Sequence, residues 1–293
     1  MKAMIFAAGL GTRLKPLTDT MPKALVPVCG QPLLYHVLKK LVAGGYDDIV
    51  VNVHHFPDQI IGYLSSHDFG ARITVSDERG FLRETGGGIR FARPFLLGPE
   101  AGGLSRNLCH PRHHKREGST CGRGRKATIP GEPPGLRAAP EPFLVHNVDI
   151  ISNLDLGWLR EQHREGAVAT LVVSERKTQR YFLFDTDGRL KGWTNLATGE
   201  VRSPFPDIEP EKCRKLAFAG IHLMSPGIFD AFDRFGFGDR FSIVDFYLKA
   251  CADYPVYAAV PPAFELVDVG KYDTLPEAEA ICARLLDAGH PNQ

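Results

Sequence analysis

Residues 7–13 read Ala-Ala-Gly-Leu-Gly-Thr-Arg, directly after the apolar run Lys2–Ala7, and Pro22-Lys23 follows shortly behind. A glycine-rich turn at the carboxyl end of a parallel strand aims backbone N–H groups at a phosphate, and Gly9 and Gly11 have no Cβ to keep it away. Arg13 and Lys23 add positive charge. Donors and cations gathered in this way can stabilise charge spreading onto a leaving pyrophosphate, so Arg13 and Lys23 are the candidate catalytic residues. A dinucleotide site is disfavoured, because the third glycine of G-x-G-x-x-G is replaced by Leu14 and the second predicted strand ends in Asn52-Val-His54 without an acid for a ribose.

Other polar clusters carry less. His54 and His55 are adjacent at a strand end, where side chains point to opposite faces and cannot chelate together. Cys109, His110, His113, His114 and Cys121 have a metal-binding composition, but their spacing fits no standard zinc site.

The elements that must position the loop follow from periodicity. Lys2–Ala7, Ile49–Val53 and Ala71–Ser76 read as buried strands. Leu34, Val37, Leu38 and Leu41 fall at helical spacing and stop at Gly44-Gly45, and a second helix spans 57–64. Such alternation implies βα units and a mainly parallel sheet with helices on both faces. Strands recur at Phe143–Val148 and Ala167–Ser174. The Asp185-Thr-Asp-Gly188 turn between 181–184 and 189–194 predicts a small antiparallel flap. Helices are expected over 227–235, 243–252 and 276–288.

The 293 residues hold 35 Lys+Arg against 34 Asp+Glu, a formal net charge of +1 that conceals a split. Eight basic and two acidic residues lie between Arg106 and Arg137, leaving 27 basic against 32 acidic elsewhere. Residues 99–141, rich in Pro, Gly and Arg and poor in aliphatic residues, are expected to be a flexible basic insertion in a single domain spanning 1–293, and dispensable for turnover. It lacks the interleaved aromatics of a nucleic-acid surface and the amphipathic period of a membrane helix. With 43% hydrophobic residues the chain can build a sizeable core. The absence of a long apolar span or signal sequence points to the cytoplasm, and six cysteines without a CxxC pair read as reduced thiols.

The motifs Ala7–Arg13 with Pro22-Lys23, Gly30–Leu33, Glu84–Gly88, Asn147-Val-Asp149, Ala219–Ile221 and Val267–Gly270 stand in one order along the chain. Together they resemble the sugar-1-phosphate nucleotidylyltransferases, over nearly everything except the insertion. That resemblance implies a mixed, mainly parallel Rossmann-like α/β sheet and an enzyme of nucleotide-sugar biosynthesis. It implies that Ala8, Gly9, Gly11 and Thr12 hold the nucleotide phosphates, with Lys23 near the α-phosphate, and that Glu84, Thr85, Gly86 and Gly87 approach base and ribose. Asn147 and Gly220 would line the sugar pocket, and Asp149 and Asp268 would hold Mg²⁺. Where the family has glycine before its first metal aspartate, this chain has Asn147 followed by Val148. The implied partners are an NTP and a sugar 1-phosphate; a homo-oligomer is allowed, and neither nucleic acid nor membrane is expected. The Glu84-Thr-Gly-Gly-Gly88 form resembles the N-acetylmuramate-1-phosphate uridylyltransferase branch and implies UTP. GTP with mannose or heptose 1-phosphate is the alternative, and a nucleotide-sugar-binding regulator without turnover is the alternative of another class.

Overall fold

The first predicted strand is apolar from Ala3 to Ala7 because it runs through the middle of a sheet covered on both faces. The computed structural model describes residues 1–98 and 141–288. Its first part contains β1 (Lys2–Phe6), β2 (Pro27–Val28), β3 (Gln31–Pro32), α1 (Leu33–Ala43), β4 (Asp48–Val53), α2 (Pro57–Ser65), β5 (Arg72–Asp77), α3 (Glu84–Phe91) and α4 (Arg93–Leu97). The second opens with β6 (Phe143–Asn147), β7 (Ile150–Ser152), α5 (Leu156–Glu161), β8 (Ala169–Ser174), β9 (Arg180–Phe184), β10 (Leu190–Asn195) and β11 (Glu200–Arg202). It closes with β12 (Arg214–Met224), α6 (Ile228–Arg234), α7 (Ile243–Ala250), β13 (Val256–Ala259), β14 (Leu266–Asp268) and α8 (Leu275–Ala288).

One ten-stranded mixed sheet draws on both parts, in the order β11-β10-β9-β12-β6-β1-β4-β5, with β8 pairing both β12 and β13. Strands β6, β1, β4 and β5 are parallel neighbours, and β12 is antiparallel to β6, β8 and β9. The expected flap is therefore an antiparallel extension of the main sheet. Its turn forms as the Asp185-Thr-Asp-Gly188 signal requires, with Gly188 at φ +76° and the Asp185 carboxylate accepting from the Arg189 N–H at 2.9 Å. Residues 99–140, which hold nearly all of the expected insertion and its Cys/His run, lie outside the described residues.

Strand alternation divides the core in two. Ala3, Ile5, Ile49, Val51 and Leu144 face α1, α2 and α8, whereas Met4, Val50, Phe143 and Val145 face α3, α4, α6 and α7. Each fully buried Leu or Ile contributes roughly 1.5–3 kcal/mol of transfer free energy. The second layer is aromatic, with Phe232, Phe237, Phe241 and Phe246 in mutual edge and tilted contacts. Helix α1 ends where the glycine pair predicts, Gly45 taking φ +82°. Asp155 and Ser242 cap α5 and α7.

Candidate active site

Strands β1, β4 and β6 end at one edge of the sheet, where a cleft of about 420 Å³ opens. Ala8, Gly9, Lys23, Glu84, Thr85, Asn147 and Asp149 line it, together with Asn52, Glu78 and Ser242. Gly9 faces this space, and a Cβ there would meet nothing within 4 Å. Gly11 is under a different constraint. Its φ of +64° favours glycine, and a Cβ would stand 2.8 Å from Thr18 Cγ2 and 3.0 Å from Lys23 Cβ. Thr18 Oγ1 donates to the Gly11 carbonyl at 2.8 Å, clamping the loop against the segment that carries Lys23. Thr12 and Arg13 follow on the exposed side, in a short 3-10 turn over Thr12–Leu14.

Lys23 is buried and forms an ion pair with Asp149. Asp149 lies in the turn between β6 and β7, and its backbone carbonyl accepts from the Val269 N–H at 2.8 Å. Strands β7 and β14 form a separate antiparallel pair in which Asp268 stands opposite Ile150. That pairing brings the two expected metal ligands together from distant parts of the chain. The Asp268 carboxyl is raised above the usual carboxylate range by burial and then by the charge of Asp149, against the opposing pull of Lys23, Arg13 and Arg176. Its Oδ1 is buried without a hydrogen-bond partner. Arg13 reaches the same place: a Cβ on Gly270 would stand 2.6 Å from Asp268 Oδ1 and 2.9 Å from the Arg13 Nη2.

An orphaned carboxylate oxygen beside a second carboxylate fits a divalent cation. Among the described residues no cluster of three or more His, Cys, Asp or Glu could hold one. Two carboxylates alone suit Mg²⁺, which keeps waters and completes its shell with phosphate oxygens. The Asn147-Val148-Asp149 form is accommodated by the strand: Asn147 pairs with Phe6 in register, and Val148 donates to the Phe6 carbonyl at 3.2 Å. Asn147 and Asp149 both reach the cleft.

The Glu84–Gly87 segment is held from outside the cleft. Glu84 adopts φ +61° and accepts from Arg240 Nε at 3.0 Å, while Thr85 Oγ1 accepts from the Ile243 N–H at 2.9 Å. The Gly86 and Gly87 N–H groups donate to the Phe241 carbonyl. A Cβ on Gly86 would lie 2.2 Å from the Phe241 ring, and one on Gly87 2.3 Å from the Asp239 carbonyl oxygen. The structure thus gives these two glycines a packing role against 239–241, while Glu84 and Thr85 face the cleft. Gly220, at φ +72°, presses on Asn147, whose Nδ2 would be 2.6 Å from a Cβ there.

Asn52 and Glu78 build the opposite wall and were not among the candidates. Asn52 Oδ1 accepts from the Ala7 N–H at 2.8 Å and its Nδ2 donates to Glu78 Oε1 at 2.9 Å, tying β4 to the glycine loop. Burial raises the Glu78 carboxyl, the Asn52 hydrogen bond opposes that shift, and Oε2 has no partner. Both sit at the carboxyl ends of predicted parallel strands, a signal available in the sequence. His146 is fully buried, and burial pushes it down to about 4. It is neutral near pH 7. His54 and His55 each bond a backbone carbonyl, of Glu78 and Thr18 respectively. Among the described residues, no helix is long and apolar enough to cross a membrane.

Residues 2–95 match the family described as nucleotidyl transferase. The chain is 48% identical over 97 residues to the N-acetylmuramate alpha-1-phosphate uridylyltransferase of Caulobacter vibrioides, covering 32% of this chain and 40% of that one. It is 39% identical over 234 residues to the mannose-1-phosphate guanyltransferase of Eremothecium gossypii, covering 78% of this chain and 51% of the other. The chain thus spans about half the length of these curated relatives. The crystal structure of HddC from Yersinia pseudotuberculosis, complexed with GMP-PN, shares the fold with a TM-score of 0.64 at 18% identity, over 95% of this chain and 98% of that one. Over residues 2–95 the chain is similar to the nucleotidyl transferase family, and the relatives named above are sugar-1-phosphate nucleotidylyltransferases.

Proposed function

We propose that this protein transfers a nucleoside monophosphate from an NTP to a sugar 1-phosphate, releasing pyrophosphate. The observation that carries the proposal is the pairing of Asp149 with the unpartnered Asp268, beside Lys23, Arg13 and the glycine loop. An oxygen of the sugar 1-phosphate forms a bond to the α-phosphorus as the bond to pyrophosphate breaks, with no protein nucleophile. The backbone N–H groups of Gly9, Gly11 and Thr12 hold the triphosphate, and Arg13 and Lys23 neutralise charge as it moves onto the leaving group. Asp149 and Asp268 hold Mg²⁺, which when bound shields the phosphate oxygens from one another and from the carboxylates. Asn147 and Gly220 shape the sugar end, and Glu84 and Thr85 bound the nucleoside end.

The substrates proposed are UTP and N-acetylmuramate 1-phosphate, supported by the 48% identity over 97 residues to the uridylyltransferase named above and by the Glu84–Gly88 sequence. GTP with mannose or heptose 1-phosphate is the second reading. It is favoured by the 39% identity over 234 residues to the mannose-1-phosphate guanyltransferase named above. The test is a pyrophosphate-release screen of UTP, GTP, CTP and dTTP against a panel of sugar 1-phosphates with Mg²⁺. Release with UTP and N-acetylmuramate 1-phosphate above every other pair supports the first reading. Preference for GTP supports the second, and nucleotide-sugar binding without release from any pair supports a regulator.

A further inference from the structure

Arg176 stands two residues beyond the end of β8, in a part of the molecule to which no motif assigns a role. Strand β8 follows β12 with Ser174 opposite Ala217 and Val173 opposite Phe218, and the register then breaks between Phe218 and His222. Gly220 lies within that break at φ +72° and presses the strand onto Asn147, which lines the cleft. Arg176 reaches back to this irregularity and donates from Nη2 to the Phe218 carbonyl at 3.1 Å. Its guanidinium is thus moored at the Gly220–Asn147 wall by one of its five N–H donors, leaving the others for a ligand.

Among the described residues Arg176 makes no salt bridge, whereas the neighbouring Glu175 pairs with Arg214. Lys23 and Arg13 stand at the acidic pair on the glycine-loop side, whereas Arg176 stands at the Gly220–Asn147 wall. Two anions must meet at this centre in the reaction proposed above, and the glycine loop with its cations serves the triphosphate. The cation on the opposite side faces the other anion.

We propose that Arg176 binds the phosphate of the incoming sugar 1-phosphate and aims one of its oxygens at the α-phosphorus. This inference rests on the nucleotidyl-transfer reading. The planar guanidinium holds two phosphate oxygens as a fork, leaving the third to form the bond to the α-phosphorus as pyrophosphate departs; no proton is gained or lost. Because the contact is with the phosphate, it is indifferent to the sugar.

The experiment compares the full chain with its Arg176→Gln and Arg176→Lys variants in Mg²⁺-dependent pyrophosphate release, varying each substrate in turn and adding methyl phosphate as an inhibitor. Arg176 is exposed, so both variants should keep the wild-type circular dichroism. The expected result for Arg176→Gln is a KM for sugar 1-phosphate raised at least about tenfold with the NTP KM within about twofold, and Arg176→Lys recovers part of the loss. Methyl phosphate should compete with the sugar 1-phosphate in the wild type and inhibit Arg176→Gln correspondingly less. An unchanged KM for sugar 1-phosphate, or an equal rise for NTP, overturns the assignment while leaving nucleotidyl transfer standing. A raised KM with unaltered methyl phosphate inhibition also overturns it, because the group recognised is then on the sugar. No turnover by the wild type with any pair overturns the underlying reading and this inference with it.

Discussion

Lys23 and Asp149, 126 residues apart in sequence, are joined in an ion pair that closes the base of the cleft. The pair holds the glycine-loop segment to the end of β6 and leaves Asp268 as the carboxylate without a partner for Oδ1. The cation on Lys23 therefore shares a carboxylate with the metal proposed for the site.

Lys23→Ala removes the lysine and leaves two carboxylates facing each other. The variant should lose about 2 kcal/mol of stability in chelator, the scale of a hydrogen bond to a charged group. Mg²⁺ should then raise its Tm more than that of the wild type, because the ion replaces the missing charge. Thermal unfolding with and without Mg²⁺ measures both; equal Mg²⁺ responses would show that the metal does not bind beside Asp149.

Gly9 and Gly11 separate binding from folding. Gly9→Ala places a methyl in open cleft space and should leave the Tm unchanged while raising the KM for NTP. Gly11→Ala meets Thr18 at 2.8 Å from a left-handed backbone, and should cost about 2 kcal/mol in urea unfolding as well as activity. Equal stability of the two variants would contradict the arrangement.

Gly86 answers to packing. Gly86→Ala sets a carbon 2.2 Å from the Phe241 ring and should destabilise by about 1–3 kcal/mol. Combining it with Phe241→Leu should give a double mutant more stable than the sum of the single losses. Strict additivity by chemical denaturation would rule out this contact.

The glycine loop, the helix over 33–43 and the parallel strands were readable in the sequence because apolar periodicity and glycine position are local signals. The meeting of Asp149 and Asp268 was reachable only through resemblance. It depends on β7 and β14, two three-residue strands too short to show a period, paired across more than a hundred residues. Asn52 was read only as the lack of an acid, although a polar residue at the end of a buried parallel strand already marks a cleft wall. Gly86 and Gly87 looked like room for a base because no local pattern announces that Phe241 folds back onto them. The flap was found as a hairpin, but its junction with the sheet through β12 is a long-range pairing.

Acid should unfold the protein partly through its histidines. Burial pushes His222 down to about 3 and His146 to about 4, so both remain neutral in the fold where unfolded histidines gain a proton. Their contribution is fully present above pH 6.5 and is lost as pH falls from there towards those values, by about 1.4 kcal/mol per pH unit for each residue. His222→Gln, which can keep a hydrogen bond to the Tyr247 hydroxyl, should flatten the stability curve between pH 6 and pH 4. A curve as steep as that of the wild type would contradict the assignment.

In the proposed reaction Asp149 and Asp268 act as one acidic pair. The most direct test is Mg²⁺-dependent pyrophosphate release by the wild type, Asp149→Asn and Asp268→Asn, each checked for folding by circular dichroism. Release by the wild type is expected, with a loss on the order of 100-fold or more in both folded variants. Release at the wild-type rate in either folded variant would contradict this role.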